Sequence, residues 1–149
     1  MMTSNRMGAA HPNYNENGLA KDVNEPRKTP LEAVKEFHEH YGMPVGESPK
    51  WLDSGRTQLR MELIKEEYKE MLQGYASEDL PNVAKELADM VYVIYGMAVE
   101  LGIDLDSVFE EVHRSNMSKL GADGKPLYRE DGKVLKGPNY SPADVESVW

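Results

Sequence analysis

The segment KELADMVYVIYGMAVEL, Lys85 to Leu101, constrains the fold more than any other part of the sequence. Between positions 87 and 99 its only charged residue is Asp89, and apolar residues occupy almost every side of the predicted helix. A helix of this kind is buried on most of its faces. Its apolar run, Met90 to Val99, is about half as long as a membrane span. Other helices must therefore cover it, and we expect an all-α fold.

Capping and stop signals divide the rest of the chain into helices. Thr29, Pro30 and Glu32 form a capping box with proline in the first turn. Asp79 and Asp104 are further N-cap candidates, and apolar residues recur at helical spacing after each of them. The predicted helices are 29–42, 54–74, 79–102 and 104–121. Residues 29–121 are thus predicted to be one domain, a bundle of four main helices.

The flanking segments lack this pattern. Residues 1–28 are rich in polar residues, glycine and proline, and are predicted to be a flexible arm. Residues 122–149 form a basic extension, in which KPLYREDGKVLKG alternates around Asp131-Gly132 and predicts a small hairpin. A last short helical turn is expected from Ser141. The loop 42–53 joins the first two helices.

Composition narrows the class of partner. The chain of 149 residues has a formal net charge of -9 and a pI near 4.9, which argues against nucleic acid or an anionic membrane as the main partner. It has no cysteine and no apolar leader after Met1, so a cytoplasmic protein is expected. A polyanionic ligand is still compatible with this charge, because a bound divalent cation reverses the local sign of an acidic site.

The segment ELIKEEYKE, Glu62 to Glu70, carries more negative charge than one helix face can balance. Glu62 and Glu66 each have a lysine three residues later, which is typical of a solvated helix face. Glu67 and Glu70 have no basic residue three or four positions away. At 100° per residue, Glu66, Glu70 and Glu67 fall within one sector, with Glu67 next to the apolar stripe.

The third helix carries a second acidic pair, Glu86 and Asp89. An ionised carboxylate in so apolar a helix needs a cation or hydrogen-bond donors. Lys85 lies four residues before Asp89, so a simple ion pair is one explanation. The other is that the two acidic pairs face each other and offer four oxygen ligands to hard divalent cations. The histidines show no zinc or di-iron spacing, and His38 and His40 are interpreted as surface residues.

EEYKE, a spacer of 15 residues and ELAD have the form E-x-x-E, spacer, E-x-x-D, and resemble the MazG-like nucleoside triphosphate pyrophosphohydrolases. These belong to the all-α superfamily that includes phosphoribosyl-ATP pyrophosphohydrolase and the dimeric dUTPases. The stretch HRSNMSKLGADGKPLYREDGKVLKGPNY extends the resemblance, which covers roughly residues 29–144. It implies Mg2+-dependent hydrolysis between the α and β phosphates, with Mn2+ able to substitute. By motif position, Glu67, Glu70, Glu86 and Asp89 would hold the metal, and Glu66 would activate the attacking water.

Phosphate-binding residues are expected outside the acidic motif, at the end of the fourth helix and in the basic extension. The lysines and the arginine of the hairpin have two equally good interpretations: they bind phosphate, or they only solvate the hairpin. Trp51 has two interpretations, stacking on a base or anchoring its loop on the domain, and the base itself is not predicted. The candidate substrate-binding residues are Asn116, Lys119, Lys125, Arg129, Lys133, Lys136 and Trp51.

The expected role is control of the nucleotide pool, with a nucleoside triphosphate as the ligand. Two alternatives stay open: phosphoribosyl-ATP as the substrate, which the MazG-like extension disfavours, and a non-catalytic helical module whose acidic face binds a basic partner. One small bundle cannot hide so apolar a third helix. We therefore predict a homodimer or a dimer of dimers, with each site completed by the extension of a neighbouring copy.

Overall fold

The computed structural model describes residues 26–149, and it confirms the predicted all-α class. A single antiparallel bridge, Tyr128 to Val134, is the only strand-like pairing within these residues. No helix in this range is long and apolar enough to cross a membrane. The helices are α1 (Pro30–His40), α2 (Ser54–Ala76), α3 (Leu80–Leu101), α4 (Leu105–Met117) and a short 3-10 helix (Val145–Ser147).

The predicted N-caps begin their helices as expected. The Thr29 hydroxyl accepts a hydrogen bond from the Glu32 amide at 3.2 Å, and the Thr29 amide donates to the Glu32 carboxylate at 2.8 Å. The Asp79 and Asp104 side chains each accept a hydrogen bond from the backbone amide of the third residue of the next helix. Helix starts were predictable because a cap is a local interaction.

Three helix ends differ from the prediction. α1 stops at His40, two residues before Gly42, and α2 continues to Ala76, two residues past Gly74. α4 stops at Met117 rather than at Gly121, and the reason for this difference lies in the C-terminal extension. The Ser141 amide donates to the Ser118 hydroxyl at 2.8 Å, and the Ser115 hydroxyl donates to the Ser141 carbonyl at 2.8 Å. These bonds fold the chain back along α4 and replace its last predicted turn.

Packing is centred on α3. The three-residue turn 77–79 makes α2 and α3 antiparallel neighbours, and α1 packs on α3 from another side. The Tyr95 hydroxyl donates to Asp106 at 2.8 Å and ties α4 to α3, which together with burial raises the pKa of Tyr95 to about 12. The expectation that α3 is buried on most faces is wrong for a single chain. Leu87, Val91 and Ile94 are exposed because no element within residues 26–149 covers that side of α3.

The loop 42–53 is held by its backbone and not by its tryptophan. The Gly46 amide donates to the Val99 carbonyl at 2.8 Å, and the Lys50 amide donates to the Leu101 carbonyl at 3.0 Å. A Cβ on Gly46 would lie 2.5 Å from the Gly102 nitrogen, so only glycine allows this approach. Trp51 is 95% exposed. The interpretation of Trp51 as an anchor for the loop is therefore wrong.

A buried ion network joins α1, α2 and α3. Glu100 is 2% exposed, and it accepts hydrogen bonds from both Arg56 and Arg60, including one of 2.8 Å from Arg60 Nε. Arg60 Nη2 lies 3.0 Å from His38 Nε2, and His38 Nδ1 lies 2.8 Å from the Pro44 carbonyl. His38 is 1% exposed, so its interpretation as a surface residue is wrong, whereas His40 is exposed as expected. The ring of His38 can be buried because both of its nitrogens have hydrogen-bond partners.

Replacing Glu100 should be strongly destabilising, because it would leave two guanidinium groups without their buried carboxylate. We expect Glu100→Gln to lower the free energy of unfolding by about 3 kcal/mol. The matched control is Glu62→Gln, which removes an exposed pair with Lys65 on the same helix and should cost less than about 1 kcal/mol. Urea unfolding followed by circular dichroism measures both, and equal losses in the two variants would contradict the structural role of Glu100.

Candidate metal centre and adjoining cavity

The antiparallel packing of α2 and α3 brings the two acidic pairs together. Ligand atoms of Glu67, Glu70 and Glu86 all lie within 4.8 Å of one another, so three of the four predicted ligands already form a cluster. Asp89 lies one turn after Glu86 on α3, and its charge reaches Glu67. These four residues are called the acidic cluster below. Carboxylate oxygens at such spacing are the donors that hard divalent cations prefer.

Glu86 carries the clearest sign that the cluster is made for a cation. The residue is 3% exposed, and its Oε2 is buried with no hydrogen-bond partner in residues 26–149. A buried polar atom without a partner costs about 1–3 kcal/mol, and more when it is charged. A cation bound to this oxygen would remove that cost. The donor set is oxygen only, which fits Mg2+ or Mn2+ and not the nitrogen and sulfur ligands typical of zinc.

The charges of the cluster act on Glu67 in particular. Burial raises the pKa of the Glu67 carboxyl, and the neighbouring carboxylates of Asp89, Glu70 and Glu86 raise it further. Both effects disfavour the ionised form of Glu67. The packing of α2 and α3 thus holds carboxyl groups together against their electrostatic repulsion. No basic residue of α2 forms an ion pair with them.

The alternative explanation of Asp89, an ion pair with Lys85, is also present. Lys85 Nζ lies 2.6 Å from Asp89 Oδ2 and 3.1 Å from Glu86 Oε1. These two hydrogen bonds, first with Asp89 and then with Glu86, raise the pKa of Lys85. The ammonium is on the exposed side of the cluster, and it does not reach the orphaned oxygen of Glu86.

Of the two ion pairs that the spacing in ELIKEEYKE predicted, one is formed and one is not. Glu62 pairs with Lys65 at 2.8 Å, and this exposed pair lowers the pKa of Glu62. Glu66 is exposed, and no ion pair between Glu66 and Lys69 is formed in the described part of the chain. Glu66 lines a shallow groove together with Glu70, beside the cluster.

A cavity of about 380 Å³ opens next to the acidic cluster. Glu67 and Asp89 line one part of it, and the rest of its wall is mostly apolar. Phe37 and Tyr92 stand edge to face in this wall, with their ring centroids 5.6 Å apart. Its size lies within the range of roughly 300–1,000 Å³ found for small-molecule sites. The other lining residues are Val34, His38, Met43, Arg60, Leu63, Val93 and Gly96.

His38 and Arg60 link this cavity to the buried ion network. Gly96 lets the guanidinium approach α3, since a Cβ at Gly96 would lie 2.8 Å from Arg60 Nη1 and 3.2 Å from His38 Nε2. Burial lowers the pKa of His38; the Pro44 carbonyl opposes this effect, and the Arg60 guanidinium adds to it. Burial alone would raise the pKa of Glu100, but the hydrogen bonds from Arg56 and Arg60 bring it below its ordinary value.

The contacts that the predicted substrate-binding residues of α4 and the extension make within one chain do not involve the acidic cluster. Lys119 Nζ bonds Asn116 Oδ1 at 2.7 Å at the exposed end of α4, and Lys136 lies over the Tyr140 ring. Arg129 bonds Asp131 within the hairpin, where Lys125 and Lys133 are exposed. Within residues 26–149, no hydrogen bond joins any of them to the acidic cluster. Their roles stay predictions.

Trp51 is also distant from the cluster within one chain. It borders a small apolar hollow with Leu101 and Trp149, at the C-terminal end of α3. Asp89 and Leu101 are twelve residues apart on that helix, which corresponds to about 18 Å. Stacking of a base on Trp51 therefore requires a second copy of the chain or a different loop position.

Comparison with known proteins agrees with this site. The sequence profile of the phosphoribosyl-ATP pyrophosphohydrolase family matches residues 34–116, which include the whole acidic cluster. The chain therefore belongs to this family of pyrophosphohydrolases, within the superfamily that the E-x-x-E and E-x-x-D motif predicted. The match ends near the end of α4 and leaves the C-terminal extension outside.

Two further similarities are weaker. Uncharacterized protein L479 of Acanthamoeba polyphaga mimivirus is 29% identical over 118 residues, which are 76% of this chain and 45% of that protein. The chain thus spans less than half the length of this relative. A crystal structure of a protein from Exiguobacterium sp. 255-15, provisionally described as an NTP pyrophosphohydrolase, shares 26% identity. The similarity covers 82% of this chain and 94% of that one, with a TM-score of 0.41.

The state of His38 should make stability depend on pH. Because its pKa is lower in the folded chain than in the unfolded one, the unfolded state binds the proton first as pH falls. Stability is fully present above pH ~6.5 and is lost below it, by up to about 1.4 kcal/mol per pH unit. His38→Asn should flatten this slope between pH 6.5 and 5, and His40→Asn, in the same helix but exposed, should keep it. Urea titrations at several pH values measure the slopes, and a wild-type slope in His38→Asn would contradict the assignment.

Proposed function

We propose that this protein hydrolyses a nucleoside triphosphate between its α and β phosphates, giving a nucleoside monophosphate and pyrophosphate. The observation that carries the proposal is the buried, unpartnered oxygen of Glu86 inside the acidic cluster, beside a cavity large enough for a small molecule. Membership of a pyrophosphohydrolase family supports the same reaction class. A role in keeping the nucleotide pool clean or balanced would follow from this reaction.

Glu67, Glu70, Glu86 and Asp89 would hold Mg2+, with Mn2+ able to replace it. When bound, the metal neutralises charge that develops on the phosphate oxygens and lowers the pKa of a bound water. Glu66 would accept the proton of the attacking water; it adjoins Glu67 in sequence, and it is exposed without an ion-pair partner in the described residues. The chain itself supplies position and charge, which are the main contributions a protein makes to phosphoryl chemistry.

The cavity is the natural place for the nucleoside. Glu67 and Asp89 at its edge would direct the phosphates toward the metal, while Phe37 and Tyr92 offer aromatic faces to a flat base. Arg60 and His38 provide the polar groups of the opposite wall. Both groups are already held by hydrogen bonds, Arg60 to Glu100 and His38 to the Pro44 carbonyl.

We also propose that the active unit is a homodimer or a dimer of dimers. Two stripes at helical spacing are exposed in the single chain. A second copy covering the stripes would bring foreign C-terminal extensions near each acidic cluster, where Asn116 and Lys119 and the hairpin residues can contact phosphates. The stripes consist of Met61, Tyr68, Leu72 and Tyr75 on α2, and Leu80, Leu87, Val91 and Ile94 on α3.

Phosphoribosyl-ATP is the second candidate substrate, because the matching profile is that of the family named for it. The same cluster and the same bond cleavage would serve both substrates. A direct comparison of phosphoribosyl-ATP with a panel of ribo- and deoxyribonucleoside triphosphates, followed by pyrophosphate release, separates the two. Faster turnover of phosphoribosyl-ATP than of every triphosphate in the panel would replace the first candidate with the second.

Removal of one predicted ligand should abolish activity without unfolding the chain. We expect Glu70→Gln and Asp89→Asn to reduce pyrophosphate release by about 100-fold or more, since both lose a carboxylate of the cluster. Glu62→Gln, on the same helix but paired with Lys65, should keep wild-type activity. Circular dichroism checks that each variant is folded. A folded, metal-supplied wild type that is inert toward phosphoribosyl-ATP and every nucleotide tested would refute the proposal.

Metal binding can be tested without turnover. Mg2+ at about 100 times its Kd should stabilise the wild type by about 2.7 kcal/mol through linkage, and a variant with all four carboxylates neutralised should lose this gain. If the acidic face instead binds a basic protein, neutralisation should stabilise the chain equally with and without Mg2+. Thermal unfolding with and without the ion distinguishes the two cases.

The assembly makes its own prediction. Val91 lies in the middle of the exposed stripe on α3, so Val91→Glu would bury a charge in the proposed interface and should give monomers at micromolar concentration. Lys65→Glu, on the exposed polar face of α2, should leave the oligomer intact. Sedimentation velocity measures both variants against the wild type. A monomeric wild type at this concentration would exclude the proposed assembly.

A further inference from the structure

The acidic cluster is not empty of positive charge in the structure, because one ammonium group already touches it. Lys85 Nζ lies between two carboxylates that the proposed metal site uses, 2.6 Å from Asp89 Oδ2 and 3.1 Å from Glu86 Oε1. Lys65 of α2 also forms an ion pair, but its partner is Glu62, which is outside the cluster. Within residues 26–149, Lys85 is the one base that forms an ion pair with the cluster.

The position of Lys85 suits a temporary partner and not a permanent one. Its side chain is 63% exposed, so it can move into solvent without opening the core. Its bonds leave Oε2 of Glu86 unpartnered, so the ammonium satisfies the rim of the cluster and not its buried end. Exposed ion pairs contribute little to stability, whereas a divalent cation can contact several carboxylates at once.

We propose that Lys85 is an exchangeable counter-ion: its ammonium holds Glu86 and Asp89 while no metal is bound, and leaves them for the substrate phosphates when a divalent cation binds. This inference rests on the metal site of the proposed function. The cation and the ammonium need the same two carboxylates, so they compete. Once displaced, the lysine stays within the reach of one side chain from the phosphates, and a point charge with three donors is a good phosphate partner.

The inference predicts opposite effects on two ligands. Lys85→Met should bind Mn2+ about two- to fivefold more tightly than the wild type, since the competing exposed ion pair is lost. In the presence of saturating Mn2+, the same variant should bind a non-hydrolysable triphosphate about two- to fivefold more weakly, because the released ammonium is missing. Isothermal titration calorimetry measures both affinities without any turnover.

Two further variants separate contact from a general change of charge. Lys85→Arg keeps the charge, but its planar fork holds carboxylates by paired hydrogen bonds, so Mn2+ should bind about two- to fivefold more weakly than to the wild type. Lys65→Met removes one positive charge from α2 and should leave both affinities unchanged. If Lys65→Met tightens Mn2+ binding as much as Lys85→Met does, the effect is long-range charge and the inference fails.

The outcomes also distinguish this inference from the proposed function. If neither the wild type nor any variant binds Mn2+, the metal site itself is wrong and both proposals fail. If the wild type binds Mn2+ and Lys85→Met has the same affinity, Lys85 does not compete, and only the counter-ion role is overturned. If Lys85→Met binds Mn2+ more tightly than the wild type but binds the triphosphate with the same affinity, the proposed transfer of Lys85 to the phosphates is overturned.

Discussion

The antiparallel packing of α2 on α3 determines both charge clusters of this protein. At one end of the pair, Arg56 and Arg60 of α2 meet Glu100 of α3, and two bases surround one carboxylate. Toward the other end, the acidic cluster brings carboxyl groups of both helices together, and Lys85 pairs with two of them, Glu86 and Asp89. The first cluster is complete within the chain and fixes the helices. The second leaves one buried oxygen, Glu86 Oε2, without a hydrogen-bond partner in residues 26–149.

Local interactions account for what the sequence predicted well. The N-caps at Thr29, Asp79 and Asp104 depend on residues within three positions, so the helix starts could be predicted from neighbours alone. The clustering of Glu67, Glu70 and Glu86 could be predicted for a related reason. Whether Glu67 or Glu86 has a basic partner three or four residues away is visible in the sequence, and the absence of one pointed to a partner outside the helix.

Contacts between distant residues account for what was missed. Arg60 and Glu100 are forty residues apart, and nothing next to either residue announces their pairing. His38 looked like a surface residue because its partners, Pro44 and Arg60, lie outside α1. One signal was available: Glu100 and Gly96 stand one turn apart in an apolar helix, and a charge beside a small residue indicates a buried partner that needs room. The early end of α4 has the same cause, since Ser118 is bound by Ser141.

The negative charge of the molecule connects the proposed metal site with the proposed assembly, because each would supply positive charge to the substrate phosphates. A chain with a net charge of -9 repels a triphosphate, and the acidic cluster adds to this repulsion at the place where the proposed function puts the phosphates. Bound divalent cations would reverse the sign of the charge at the cluster. Part of their positive charge, however, is neutralised by the carboxylates that hold them. Further positive charge has to come from Lys85 or from the basic extension. The extension of one chain is hydrogen-bonded to its own α4, so the proposed second copy would be a source of those bases.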